Sequence, residues 1–276
     1  MSGGRLVLVG TPIGNLGDLS PRAVEALAAA TIVACEDTRR TGRLFSHLGL
    51  PSPRWVVVNE HTEGTAAAAL LDAIRAGAVV ALVSDAGMPA VSDPGAHLVA
   101  LAIDADLAVE VIPGPSAVLA ALVQSGLTTS RFVFEGFLPR KGAERTARLA
   151  EVAAEQRTSV LFEAPHRLAR TIDDLEAICG GDRRVVLARE LTKLHEQVWR
   201  GTLAEAVAHI GAVEPRGEYV VVLDGAPERA DATDDELLAA LAEARAAGRS
   251  TRDAVAAIAD AFGVAKRRVY DLAVGG

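Results

Sequence analysis

The sequence predicts an α/β protein. It reads as two α/β domains, the first on a mostly parallel sheet and the second on a mixed one, followed by a small helical unit. Three observations predict this. Short β-branched runs alternate with Ala/Leu-rich segments of helical length up to residue 112, the pattern of crossover-connected parallel strands. The turn Pro113-Gly114-Pro115-Ser116 breaks that rhythm, and the strands beyond it are unevenly spaced. After Asp224-Gly225-Ala226-Pro227 comes an acidic linker, 228–235, and then only helical patterns. The expected domains are 1–115, 116–226 and 232–276.

The elements follow in order. Arg5–Val9 (RLVLV) is a strand that runs into Gly10. Ser20-Pro21 starts a helix, with Ser as cap and Pro at the first helical position, and the helix continues to about Ala30. Residues 31–35 (TIVAC) form a strand ending at Glu36-Asp37. Strands at 55–58 and 79–84 flank a helix at 65–76, and a helix from 94 to 103 leads to a fifth strand, Ala108–Ile112. In the second domain strands are expected at Phe132–Phe137, 159–163, 185–189, 197–201 and 218–223. The short spacing at 193–203 predicts antiparallel pairing there. In the tail, Val255, Ile258, Ala259 and Phe262 share one helical face, Gly263 makes a turn, and Val264, Val269 and Leu272 face back. That is a helix-turn-helix pattern, with Lys266-Arg267-Arg268 opening its second helix.

Composition limits the function classes. A chain of 276 residues, 50% hydrophobic and 23% charged, is globular with ample core. It shows no signal segment and no apolar run long enough to span a bilayer. Cys35 and Cys179 sit in no CxxC pattern and read as reduced core residues of a cytoplasmic protein. The six histidines are scattered without HExxH spacing, so no metal site is expected. A net charge of −8 argues against a protein coated in nucleic acid. Basic residues nevertheless cluster at Arg39/Arg40/Arg43, at Arg140/Lys141/Arg145/Arg148 and at Lys266–Arg268, each readable as solvated surface or as an RNA grip.

In open parallel sheets, ligands sit off the carboxyl ends of the strands. The punctuated turns all fall there: 10–17, 36–40, 59–61, 84–89 and 113–116. The first, GTPIGNLGD, has glycines four and seven positions on instead of the two and five of GxGxxG, and Pro12 stands where close backbone approach is needed. No GxxxxGK[ST] motif is present either. A ligand with an adenosine but no phosphates, S-adenosylmethionine, suits these turns better than a dinucleotide.

TPIGNLGDLSPRA, CEDTRRTGRL, NEHTE, SDAGMPAVSDPG, IPGPSA, GFLPRKG, FEAPHR and ARELTKLHE stand in this order. Together they resemble the ribosomal RNA small subunit methyltransferase I family, 16S rRNA cytidine 2′-O-methyltransferases of the tetrapyrrole-methylase-like class III group. The resemblance is strong from about Arg5 to Asp224 and looser in the tail. It implies a homodimer with S-adenosylmethionine in a cleft between the two α/β domains, acting on 16S rRNA in the small ribosomal subunit, at cytidine-1402 by analogy. It carries the cofactor role onto Pro12, Asp85, Gly87, Met88, Gly114, Ser116 and Ala117, and from the second domain onto Glu163, Ala164 and Pro165.

A ribose 2′-hydroxyl is a poor nucleophile, so a proton acceptor helps. Glu36, Asp37, Glu60 and His61 lie at the sheet edge. Asp37 is the first candidate, because Arg39 and Arg40 keep it ionised; the competing reading is a helix cap or salt bridge. Glu60 and His61 follow, with a structural histidine as the other reading of His61. On this view Asp37→Ala retains cofactor binding and loses most turnover. Asp85 either meets the cofactor amine or caps a turn. RNA contact is expected at Arg39, Arg40, Arg43, Arg140, Lys141 and Arg167, and at Lys266, Arg267 and Arg268 of the tail, unless the tail only packs on the body or the dimer mate. Other readings stay open: a tetrapyrrole-precursor methylase, a DNA-binding regulator using the tail, and a dinucleotide oxidoreductase.

Overall fold

The computed structural model describes residues 3–59, 62–212, 214–227 and 232–275. It divides into two compact units, Met1–Ala226 and Pro227–Gly276.

The first unit contains both sheets. β1 (Arg5–Val9), β2 (Ile32–Cys35), β3 (Arg54–Val57), β4 (Val79–Leu82) and β5 (Ala108–Ile112) form an all-parallel sheet in the order β3-β2-β4-β1-β5. The crossovers run through α1 (Pro21–Ala29), α2 (Thr38–His47), α3 (Glu63–Arg75) and α4 (Ala96–Asp104). Successive strand side chains point to opposite faces, so a strand covered on both sides must be apolar throughout. In β1, Leu6 and Leu8 join Leu70 and Ile74 of α3 and Leu98 of α4. Val7 and Val9 join Ala23 and Leu27 of α1 and Phe45 of α2 on the other face. Each fully buried leucine, such as Leu70 or Leu98, contributes about 1.5–3 kcal/mol.

The chain leaves this sheet at Pro113 and enters α5 (Ala117–Ser125), which Ser116 caps by accepting the Leu119 N–H and which Gly126 ends at φ 73. The second sheet comprises β6 (Phe132–Phe137), β7 (Thr158–Glu163), β8 (Arg184–Arg189), β9 (Gln197–Thr202) and β10 (Tyr219–Leu223), in the order β6-β7-β10-β8-β9. Only β6 and β7 pair parallel; β8 and β9 pair antiparallel, as their spacing predicts. One face packs on α6 (Gly142–Ala154), α7 (Pro165–Cys179) and α8 (Leu203–Ala212), through Leu149, Leu168, Ile172 and Leu203. The other face, with Val160, Val186 and Val220, packs on Val118 and Leu122 of α5 and on Ile13 from the loop after β1. A second tie joins the same regions, where the Thr192 hydroxyl accepts the Asn15 N–H at 3.0 Å. Two such ties explain why residues on either side of Pro113 form one compact unit.

The second unit is a three-helix cluster. α9 (Asp234–Ala246) starts in a capping box of Thr233 and Glu236. α10 (Thr251–Phe262) is capped by Ser250, Gly263 turns the chain at φ 66, and α11 (Lys266–Gly275) follows. Val255, Ile258 and Ala259 of α10 meet Val269 of α11 and Leu237 of α9. The Arg268 guanidinium donates to Asp234 and to the Ala232 carbonyl, both at 2.7 Å, and so fastens α11 to the start of α9.

Candidate active site

The loops after β1, β4 and β5 meet above the carboxyl edge of the parallel sheet. Gly10 donates to the Ile112 carbonyl (3.0 Å), and Thr11 and Gly87 exchange backbone hydrogen bonds at 2.9 and 3.1 Å. The Thr11 hydroxyl also donates to the Ser84 carbonyl at 3.3 Å. The segment between β4 and α4 is bent tightly, with left-handed φ at Gly87 (80), Ala90 (68), Ser92 (59) and Gly95 (119). Non-glycine residues hold that conformation only where their surroundings fix it. α4 is not capped from within this segment: Glu63 of α3 accepts the Gly95 and Leu98 N–H groups at 3.1 and 3.0 Å.

This segment faces the second sheet across a cleft of about 400 Å³. Gly87, Met88, Asp93 and Ser116 form one wall, and Phe137, Phe162 and Tyr219 belong to the other. Phe162 packs against Phe134 edge-on and against Phe137 at a tilt, with centroid distances of 5.0 and 5.6 Å, which fixes the apolar wall in place. A second hollow of about 320 Å³ adjoins the cleft and shares Ile13, Ala86 and Glu218 with it. Arg40, Arg43 and His47, three and four residues apart on α2, line this groove together with Pro12 and Lys193. Lys193 is already engaged by Glu190 (2.8 Å) and Glu218 (2.6 Å).

Carboxylates stand on the loops that end β2 and β4, Asp93 in the cleft, Asp85 in the groove and Asp37 outside both. Asp85 pairs with Arg40 at 3.2 Å, and its buried Oδ1 has no hydrogen-bond partner among the described residues. Burial, then the nearby Glu36 and Asp85 charges, push the Asp93 carboxyl up to about 6 against the opposing Ser84 hydroxyl. Hydrogen bonds from the Arg39 side chain and N–H pull the Asp37 carboxyl down to about 2. No group of three or more His, Cys, Asp or Glu placed to hold a metal ion occurs among the described residues. No helix there is long and apolar enough to cross a membrane.

Residues 5–207 match the tetrapyrrole (corrin/porphyrin) methylases. Over 273 residues the chain is 45% identical to the ribosomal RNA small subunit methyltransferase I of Synechocystis, with 98% of each chain covered. The chain belongs to the ribosomal RNA small subunit methyltransferase I family. The Mycobacterium tuberculosis relative of that name is 49% identical over 274 residues, covering 98% of this chain and 95% of its own. Among solved structures, the methyltransferase CobJ superposes with TM-score 0.62 at 20% identity, over 81% of this chain and 95% of CobJ. The Thermus thermophilus uroporphyrin-III C-methyltransferase complexed with S-adenyl homocysteine gives 0.57 at 24% identity, over 80% of this chain and 97% of that one. These two likenesses show the fold: two α/β sheets, one parallel and one mixed.

In this ribosomal RNA small subunit methyltransferase I family chain, the expected cofactor residues fall at three places. Gly87, Met88, Ser116, Ala117, Glu163, Ala164 and Pro165 line the cleft, whereas Pro12 and Asp85 line the neighbouring groove. Gly114 lines neither and lies against Gly10. The Glu163 side chain is turned inward. Its carboxylate accepts from the Thr171 hydroxyl (2.6 Å) and the Ala164 N–H (2.9 Å) and pairs with Arg167 at 3.2 Å. Asp37 caps α2, accepting the Arg39 N–H at 2.8 Å and its guanidinium at 2.9 Å, which matches its competing reading. A carboxylate so held is a weak proton acceptor. Glu60 and His61 lie outside the described residues.

The expected RNA contacts divide similarly. Arg39, Arg40, Arg43, Arg140 and Lys141 are exposed. Arg167 is not: it donates to the Leu138 carbonyl at 2.6 Å and holds Glu163. Arg145, from the same basic cluster as Arg140, is buried against Asp174 and Thr171. In the tail Arg267 is exposed while Arg268 is fastened to Asp234. Asp93, Phe137 and Phe162 of the cleft and His47 of the groove are marked as site residues by no motif in the sequence. The only signal for them was position: the second SDPG turn, the ends of two strands, and a helical spacing from Arg40 and Arg43.

Proposed function

We propose that the chain transfers a methyl group from S-adenosylmethionine to the 2′-hydroxyl of a cytidine ribose in small-subunit rRNA. One observation carries this reading: a small-molecule cleft with an aromatic wall opens into a groove lined by cationic side chains, and the two share Ile13, Ala86 and Glu218. A volume of about 400 Å³ suits a nucleoside-sized ligand. The residues fit the cofactor. Phe137 and Phe162 offer an apolar face to an adenine, and the unsatisfied Asp85 Oδ1 awaits a donor such as an ammonium group. No glycine loop of phosphate-binding spacing is present to favour a dinucleotide.

Bound there, the cofactor supplies an electrophilic methyl group. The chain's own contribution is alignment and charge. Arg40, Arg43 and His47 hold backbone phosphates of the target strand, and the exposed Arg140 and Lys141, and in the helical unit Lys266 and Arg267, are further candidates for RNA contact. The RNA partner is the folded small subunit, which presents the nucleotide by shape; with 4% aromatic residues the protein has few faces on which to stack splayed bases. The working form is a homodimer, for which Val111 on edge strand β5 and Leu119 and Val123 on α5 are exposed apolar surface.

The experiment is incubation with tritiated S-adenosylmethionine and, in parallel, 30S subunits, free 16S RNA, duplex DNA and a porphyrinogen. Label in 16S RNA of the 30S arm, resistant to alkali at one nucleotide, is the expected result. Label in the porphyrinogen alone overturns the reading.

A further inference from the structure

We propose that Asp93 is the group that takes the proton from the attacking ribose hydroxyl. The inference rests on the methyl-transfer reading above. Asp93 lines the cleft itself, in the bent segment between β4 and α4. The sequence Ser-Asp-Pro-Gly ahead of a helix suggests a cap, yet Glu63 fills that role, accepting the N–H groups of Gly95 at the cap position and of Leu98 in the first turn of α4. Asp93 is therefore free of that structural duty. The turn that presents it is held in place. Ser92 and Ala90 keep left-handed backbone, and Gly136, in the bulge of β6, runs so close that a Cβ there would stand 3.2 Å from the Ser92 hydroxyl. Strained non-glycine backbone that its neighbours fix is common where a side chain must be aimed.

The charged groups around Asp93 come from both sheets. Glu36 follows β2, and Asp85 follows β4 with Arg40 of α2 on its outer oxygen. Across the cleft stand Glu163, neutralised by Arg167, Glu218, held by Lys193, and Tyr219. Half-burial beside Glu36 and Asp85 brings the Asp93 carboxyl to about 6, whereas Asp37 sits at about 2. A proton acceptor works best near the operating pH, so Asp93 is the better base. In the step, a 2′-oxygen lone pair forms the O–CH₃ bond and the 2′-O–H proton passes to a carboxylate oxygen of Asp93. The methyl–sulfur bonding pair stays on sulfur, which leaves as a neutral thioether.

The test is Asp93→Asn, which keeps shape and removes the base. Methyl transfer to 30S subunits should fall about 10²–10⁴-fold in kcat. Cofactor affinity by calorimetry should stay within about threefold, and the fall in wild-type rate below about pH 6 should vanish in the variant. A second readout needs no activity. A carboxyl raised in the folded state contributes stability below its unfolded value of 3.8 and loses it as pH rises through about 6. The cofactor-free variant should thus melt above wild type at pH 8, with the gap closing by about pH 4. More than a tenth of wild-type turnover in the variant overturns the proposal, as does cofactor affinity lost in step with rate or an absent melting gap. If wild type labels no RNA, the methyl-transfer reading fails instead, and the melting comparison still reports on Asp93.

Discussion

Gly10 and Gly114 touch backbone to backbone: a Cβ on Gly10 would stand 2.6 Å from the Gly114 Cα, and one on Gly114 would stand 2.7 Å from the Gly10 Cα. The loops after β1 and β5 meet here, next to Met88 of the cleft, whose Sδ a Cβ on Gly10 would approach to 2.8 Å, and neither glycine can carry a side chain without moving the other. Gly114→Ala should cost about 1–3 kcal/mol in urea unfolding and weaken cofactor binding at least tenfold by calorimetry. Gly42 is the control. It lies inside α2 with nothing within 4 Å of a built Cβ, so Gly42→Ala should raise stability by about 0.5–1 kcal/mol. A Gly114→Ala protein that binds cofactor like wild type would show that this contact does not shape the cleft.

Asp37→Ala separates a cap from a base. The side chain accepts the Arg39 N–H at the start of α2, so its removal should lower the melting temperature by a few degrees. Turnover at saturating substrate should change less than about tenfold, because a carboxyl held at about 2 accepts protons poorly. The pH sign follows from that depression. Asp37 contributes stability above its unfolded value of 3.8 and loses it as pH falls toward about 2. Wild type and variant should therefore differ in melting at pH 6 and converge near pH 2. A thousandfold loss of turnover with normal cofactor affinity would return Asp37 to the chemistry.

What was legible in the sequence depended on range. β1, β5 and β6 read correctly because RLVLV, AVEVI and FVFEGF carry their own β-branched and aromatic signal, and the turns at Gly87 and Gly114 announce themselves through Gly and Pro. The aromatic wall did not, because Phe137 and Phe162 become neighbours only when β6 pairs with β7 across a helix. Basic clusters misled in one direction. Arg145, Arg167 and Arg268 look like RNA contacts in one dimension, but each is bound to a carboxylate elsewhere in its unit. Asp93 resembles a helix cap until Glu63, thirty positions earlier in the chain, is found in that role.

The inward Glu163–Arg167 pair predicts a structural phenotype at two residues first read as ligand contacts. Glu163 is 3% exposed, and Arg167 is its i+4 partner on the first turns of α7. Removing one partner leaves the other buried and unpaired, which costs on the order of 3 kcal/mol. Arg167→Ala should therefore lower the urea midpoint markedly and leave the salt slope of RNA binding unchanged. Arg167→Lys should recover only part of the stability, because a compact ammonium on a shorter stem lacks the planar fork that reaches both Glu163 and the Leu138 carbonyl. An unchanged urea midpoint with a reduced salt slope would put Arg167 back on the RNA surface.

Arg43 makes the complementary prediction. It is exposed on α2, lines the groove beside the cleft, and forms no ion pair among the described residues. Arg40, one turn earlier, already has the Asp85 carboxylate at 3.2 Å. A phosphate in the groove would meet Arg43 at full charge, whereas at Arg40 it competes with Asp85. Each neutralised phosphate releases condensed counterions, so log K falls with log salt by about 0.7–0.9 per contact. Arg43→Ala should reduce that slope by about one and raise KM for 30S subunits with little change in kcat. Arg40→Ala should reduce the slope less and also disturb Asp85, whose inner oxygen already lacks a partner. Cofactor affinity should then change for Arg40→Ala and not for Arg43→Ala, a contrast that equilibrium dialysis reads directly. Equal slopes for wild type and Arg43→Ala would mean that the groove carries no phosphate.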